Sequence, residues 1–125
     1  MSKKVSSKPT RILLADRAVS DLLSIESYSI SKWGKATTTK YLAKFEKAFR
    51  LLELNPDILL ANEALSQSLL FYRVEKHLIA CVRVKSSIVV LTILHANRDL
   101  VPILHELLPT VNAEIAVLLS KAGKT

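Results

Sequence analysis

Three apolar runs, Leu70–Glu75, Leu78–Val84 and Ile88–His95, follow one another with almost nothing between them. Gaps that short cannot hold a crossover helix, so successive runs must pair antiparallel, as a meander. The middle run, Leu78-Ile79-Ala80-Cys81-Val82, alternates poorly between apolar and polar. A strand covered on both faces reads that way. Neither joining stretch, Lys76-His77 or Lys85-Ser86-Ser87, contains glycine, so one of them is expected to be a longer or bulged loop.

The chain ahead of the meander reads as a helical hairpin. Arg11–Ala15 is a short strand stopped by Asp16, an N-cap residue type. Ala18, Leu22, Ile25, Ser29 and Trp33 then recur at helical spacing, with Val19, Leu23 and Ile30 widening the stripe. Gly34 suits the left-handed residue that ends such a helix. A second helix, about Ala36–Leu54, places Tyr41, Phe45, Ala48, Phe49 and Leu52 on one face. Lys40, Lys44 and Lys47 form a separate stripe about a third of a turn away. Asn55-Pro56-Asp57 closes the hairpin, because a residue before proline avoids the helical region. Residues 58–68 read as a connector, with Asn62–Leu65 as one helical turn. The expected fold is therefore α+β: a short N-terminal strand, then a helical hairpin packed on an antiparallel sheet (β-α-α-β-β-β). A helical extension over residues 101–125 follows, divided by Pro109 into pieces near 100–108 and 110–122. Residues 1–10 read as a basic, flexible lead.

With 125 residues the chain forms one domain with a core of its own. The longest apolar run is strand-sized, and Ile12–Ala15 is too short for a signal peptide, which points to the cytoplasm and away from a membrane. A single cysteine, Cys81, excludes an intrachain disulfide and a thiolate metal cluster. It reads as a buried small hydrophobe. Eighteen Lys and Arg against eleven Asp and Glu leave a formal charge of +7, which suits a nucleic-acid, nucleoprotein or acidic-protein partner, or simply a solvated basic surface.

Five segments carry a family resemblance. Asp16-Arg17-Ala18-Val19-Ser20-Asp21-Leu22 is similar to the start of the first helix in ParE-type toxins. Lys32-Trp33-Gly34-Lys35-Ala36 resembles their break between helices, and Phe45 to Pro56, with its Leu-Glu-Leu-Asn-Pro ending, resembles the close of the second. His77-Leu78-Ile79 is similar to their histidine-led third strand. Ile93-Leu94-His95-Ala96-Asn97-Arg98-Asp99 resembles the final strand and its polar exit. The ordered set, over about residues 11–100, resembles the RelE/ParE-type toxins of bacterial type II toxin–antitoxin systems.

That resemblance implies a growth-inhibiting toxin of the kind that stabilises plasmids, neutralised by a cognate antitoxin. It implies one of two activities, cutting mRNA on the ribosome or poisoning DNA gyrase. RelE-like enzymes cleave with lysines before the second strand of the fold, which is the first of the meander, and an arginine opening the third. Here residues 62–68 hold no lysine or arginine, and the arginine position is Leu78. RNA cleavage needs groups that activate the 2′-hydroxyl, stabilise the phosphorane and protonate the leaving oxygen. Two parts of that set are missing, so the ParE-like, gyrase-poisoning reading is preferred, with no catalytic residues. If the chain were instead a metal-independent ribonuclease, His95, Arg98, Arg73 and Arg83 would carry the chemistry. A non-toxic binding module on the same fold is the third reading.

For target or partner binding the candidates are Arg98, His95, Lys40, Lys44 and Lys47. Each also has a plain structural reading. His95 can simply hydrogen-bond at the sheet end, Arg98 can pair with Asp99 or the first helix, and the lysines can be a solvated face. Trp33 reads as a core or hinge anchor and Tyr41 as core. The three histidines, His77, His95 and His105, have no metal-ligand spacing, and no cofactor or metal is expected. The strongly apolar strands imply a groove between sheet and hairpin for an antitoxin helix or strand. In the extension, Val111, Ile115, Leu118 and Leu119 share a face, and Ile103, Leu104, Leu107 and Leu108 add apolar surface. So much aliphatic surface is expected to pack on the protein's own sheet or across a homodimer.

Overall fold

Strand Ser87–His95 is buried along its whole length apart from His95 at its exit. Its sequence explains this, since Ile88 to Leu94 is apolar except for Thr92 and so must be covered on both faces. The computed structural model describes residues 10–123, with backbone only for 108–114 and 121–123. The elements are β1 (Arg11–Leu14), α1 (Asp16–Trp33), α2 (Lys35–Leu54), β2 (Leu60–Asn62), β3 (Ser66–Val74), β4 (His77–Val84), β5 (Ser87–His95) and α3 (Leu100–Gly123). The strands form one mixed sheet in the order β1-β5-β4-β3-β2, with β1 parallel to β5 and the other pairs antiparallel.

Two cores sandwich this sheet. On one face Phe45, Ala48 and Leu52 of α2 and Ala18 of α1 pack against Val74, Ile79, Cys81, Ile88, Val90 and Ile93. On the other, Leu100, Leu104 and Leu107 of α3 pack on Leu69, Phe71, Ala80, Val89, Leu91 and Leu94. A bulge allows β5 to serve both. Ala80 is opposite Thr92 while Cys81 is opposite Val90, which leaves Leu91 as an extra residue. Past it the phase is reset, so that Ile93 joins the hairpin-side core and Leu94 the α3-side core.

The hairpin forms where the periodicity predicts, with a narrower buried stripe. Ala18 and Ser29 are buried, and Leu22 and Ile25 pack partly against the core. Val19, Leu23 and Ile30 are 42%, 59% and 40% exposed, and Trp33 is 53% exposed. Trp33 is therefore no core anchor: it meets Tyr28 edge-on at 6.0 Å, with the Lys32 ammonium 5.5 Å from its ring. Asp16 lies inside the first turn and Ala15 occupies the cap position without a side-chain bond. Gly34 alone joins the helices, at φ 87° and ψ 173°, a region closed to residues with a Cβ. Its N–H caps Ile30, and its carbonyl accepts from the Thr38 amide and hydroxyl.

Three expectations are corrected. The connector holds a strand, β2, rather than a helical turn at Asn62–Leu65, because Leu60 and Ala61 find edge partners in Phe71 and Leu70. Both meander turns are tight two-residue loops, closed by Val74 opposite His77 and Val84 opposite Ser87. Glu75 and Lys85 supply the positive φ that glycine usually gives (54° and 57°), and the irregularity lies within β5. Finally, α3 runs unbroken through Pro109. The proline lacks an N–H for the His105 carbonyl, but Ile115 and Leu118 beyond it join the same core as Leu104 before it. The extension thus packs on its own sheet. Val111 and Leu108 fall outside the described side chains, and residues 1–9 outside the described chain. No helix among the described residues is long and apolar enough to cross a membrane.

Two substitutions test this packing in urea denaturation. Leu104→Ala should cost about 2–5 kcal/mol by opening a cavity under α3, while Val117→Ala, on its exposed side, should stay within about 0.5 kcal/mol. Gly34→Ala should cost about 1–3 kcal/mol although its new Cβ would meet nothing within 4 Å, because the cost is backbone strain alone.

Candidate functional site

Polar groups gather where the sheet ends, at the β3–β4 turn and the exit of β5. The two loops are tied by the Ala96 N–H donating to the Lys76 carbonyl at 2.8 Å. His77, first residue of β4, is paired with His95, last of β5, and their rings lie 5.2 Å apart. From α2, the Tyr41 hydroxyl reaches His77 Nδ1 at 2.7 Å. Lys44, one turn on, pairs with Glu75 at 3.0 Å. Arg73 is fixed by its Nε–H donating to the Glu75 carbonyl at 2.8 Å. Arg73, Lys76, His95, Ala96 and Asn97 line a shallow open cleft there.

Burial tunes two of these groups. His77 is pushed below its ordinary value, first by burial and then by the neighbouring His95, against a smaller opposing pull from Asp21. Burial raises the Tyr41 phenol, opposed by the Lys76 backbone N–H and assisted by Glu75. At neutral pH the pair is an un-ionised phenol beside a neutral imidazole. That suits Tyr41 O–H donating to Nδ1, which leaves His77 protonated on Nε2. Tyr41 is thus only partly core, and its hydroxyl orients a histidine.

The sequence candidates divide between the two ends of the sheet. Arg73 and His95 come together at the cleft. Arg98 sits two residues past Ala96, exposed, with its amide bonded to the His95 carbonyl. No ion pair of Arg98 with Asp99 or α1 forms among the described residues. Arg83 lies opposite Ile88 and donates to Asp57 at 2.9 Å. It stands six residues along β4 from His77, about 20 Å away at strand rise. Lys40 and Lys47 are exposed on α2, and Lys44 is engaged with Glu75. Cys81 is buried and its thiol pushed up to about 12, so it offers no nucleophile.

A polar bridge that the sequence does not single out supports this end of the sheet. Beyond Leu14, β1 no longer covers β5, and Asp21 of α1 takes over. Its Oδ2 accepts from the Ile93 N–H at 2.8 Å and the Thr92 hydroxyl at 2.6 Å, and that hydroxyl accepts from Arg17 Nε at 3.3 Å. A carboxylate thereby satisfies a strand edge that would otherwise be left bare.

Because His77 titrates lower in the folded chain than the 6.5 of a free histidine, the unfolded chain binds its proton first as pH falls. Stability from this group is therefore complete above about pH 7 and is lost as pH drops through the window below 6.5. Melting temperatures measured between about pH 7 and pH 5 should fall in the wild type, and His77→Gln, which still accepts from Tyr41, should flatten that fall.

Comparison with known proteins bears on this geometry. The sequence pattern of the ParE toxin of type II toxin–antitoxin systems, parDE, matches residues 12–100. A solved structure of a chromosomal ParDE toxin–antitoxin system from P. aeruginosa superimposes with a TM-score of 0.64 at 13% identity. The match covers 73% of this chain and 100% of that one. No curated protein sequence matches.

Proposed function

The chain belongs to the ParE toxin family of type II toxin–antitoxin systems, and from that membership we propose that it is a toxin acting by binding, which poisons DNA gyrase and is held inactive by a cognate antitoxin. The observation that carries the choice of binding over RNA cleavage is the dispersal of the cleavage set. Arg83 is tied to Asp57 at the far end of the sheet from His95. Leu78 occupies the position of an activating arginine, and no cation lies in residues 62–68. What remains at the sheet end, with His95, Arg73, Lys76 and the exposed Arg98, is a positively charged contact surface.

The space between hairpin and sheet, expected as the antitoxin's groove, is filled by Phe45, Ala48 and Leu52, and the opposite sheet face is covered by α3. One open apolar surface among the described residues is the flank of α1, where Val19, Leu23 and Ile30 recur along one side. An acidic antitoxin segment with apolar residues at helical spacing fits that flank beside a chain of charge +7.

Two assays run in parallel test the proposal. Added to gyrase and plasmid DNA, the purified toxin should block supercoiling or trap cleaved complexes. Added to programmed ribosomes, it should leave mRNA intact. Codon-specific cuts that disappear in His95→Ala or Arg98→Ala would overturn gyrase poisoning in favour of a ribosome-dependent ribonuclease.

A further inference from the structure

The cleft at the end of the sheet has a chemical character that target poisoning alone does not require. We infer that it is a binding site for a backbone phosphate of duplex DNA, with Arg73, Lys76 and His95 as the donors.

Four of the five residues lining the cleft, Arg73, Lys76, His95 and Asn97, carry side-chain nitrogen donors, and none is a carboxylate. Glu75, the acidic residue between Arg73 and Lys76, has its Oε2 on Lys44 at 3.0 Å, so its charge is offset on the α2 side. The donors are also held in place. Arg73 is anchored through Nε to the Glu75 carbonyl, and its two terminal amines bond nothing among the described residues. A guanidinium gripped in that way presents a fork to an oxyanion. His95 Nδ1 accepts from the Asn97 N–H at 3.4 Å, which leaves Nε2–H to donate outward. Lys76 is fixed through its carbonyl to Ala96, so the lysine and the β5 exit keep their spacing.

Shape narrows the ligand. The cavity, about 340 Å³, lies at the small end of sites for free ligands and is open rather than enclosed. A small anion would be poorly retained there, whereas one phosphate of a polymer needs only a surface notch. No Phe, Tyr or Trp lines the cleft, and Arg73 and His95 are engaged with the Glu75 carbonyl and the Asn97 N–H. An unpaired base therefore finds no large aromatic platform, and the outside of a duplex is the better fit. The helical hairpin extends past this end of the sheet, since Gly34 lies seven residues, about 10 Å of helix, beyond Tyr41, whose hydroxyl is on His77. That overhang carries Lys35 and Lys40 and would lie alongside a duplex seated in the notch.

The site is tested on the full chain with nucleic acid alone, so its outcome is separate from the identity of the poisoned enzyme. Fluorescence anisotropy with a 30-base-pair duplex of arbitrary sequence, titrated with salt, should show binding whose logarithm falls linearly with that of salt. Arg73→Ala/Lys76→Ala should weaken it about tenfold or more at low salt and reduce the slope by about 2. The single variant Lys76→Glu, on an exposed turn, should weaken it likewise with an unchanged melting temperature. Arg50→Ala/Lys85→Asn removes two charges outside the cleft and should change neither affinity nor slope by more than about a third of the cleft pair's effect. Equal losses from both double variants would reduce the cleft to general basic charge and overturn the inference. Absence of duplex binding by the wild type, or tighter binding to a single-stranded RNA of equal length that the cleft variants abolish, would overturn it as well.

Discussion

Everything in this protein depends on β5 being buried on both faces. A single strand supplies Ile88, Val90 and Ile93 to one core and Val89, Leu91 and Leu94 to the other. Removing that apolar surface from water stabilises the fold only if both sides are covered, at roughly 25 cal/mol for each Å². The helical hairpin covers one side, and the segment that the ParE family pattern matches contains both of its helices and the strands. The matched segment ends at residue 100, where α3 begins. In this chain the second face is closed by that added helix, and its three leading leucines, Leu100, Leu104 and Leu107, all lie buried.

Double coverage also accounts for the bulge at Leu91. A regular strand repeats every two residues, so one parity would face the hairpin and the other α3 from end to end. The extra residue shifts that parity once. It turns Ile93 to the hairpin-side core and Leu94 to the α3-side core, beside the Thr92 hydroxyl's bond to Asp21. The bridge from α1 to β5 and the change of phase therefore occur together, at the point where β1 has ended and the edge of β5 needs a partner.

The architecture was legible wherever a local period governs. The helical hairpin, the Gly34 break and the three meander strands follow from spacing that each segment carries by itself. The errors lie where distant residues decide. The strand at Leu60–Asn62 exists because Phe71 and Leu70 offer an edge, and no local signal marks it. The tight turns at Glu75 and Lys85 rest on non-glycine residues in the left-handed region, held there by the strands on either side. Pro109 is a true helix breaker in isolation, yet the core under α3 extends across it to Ile115 and Leu118. In the site, His95 and Arg73 were visible as polar residues at strand ends. Asp21 was visible only as part of a helix start, since its partners lie 71 and 72 residues away. The orienting bond from Tyr41 to His77 spans 36 residues and was hidden because Tyr41 also fits the apolar face.

The position of the cleft follows from the same layering. Along the middle of the sheet both faces are closed by helices, and a charged group there would be desolvated at a cost of several kcal/mol. At the β1 edge, Asp21 takes up the Ile93 N–H that β1 leaves uncovered. The end of the sheet is where strands exit into water, so cations can gather there without losing solvation while still being fixed by strand backbone. Arg73 and Lys76 bracket one turn, His95 and Asn97 the facing exit, and a single hydrogen bond between Ala96 and Lys76 holds the two together. Rigid strands thus set the spacing of these side chains, and the open cleft leaves them solvated.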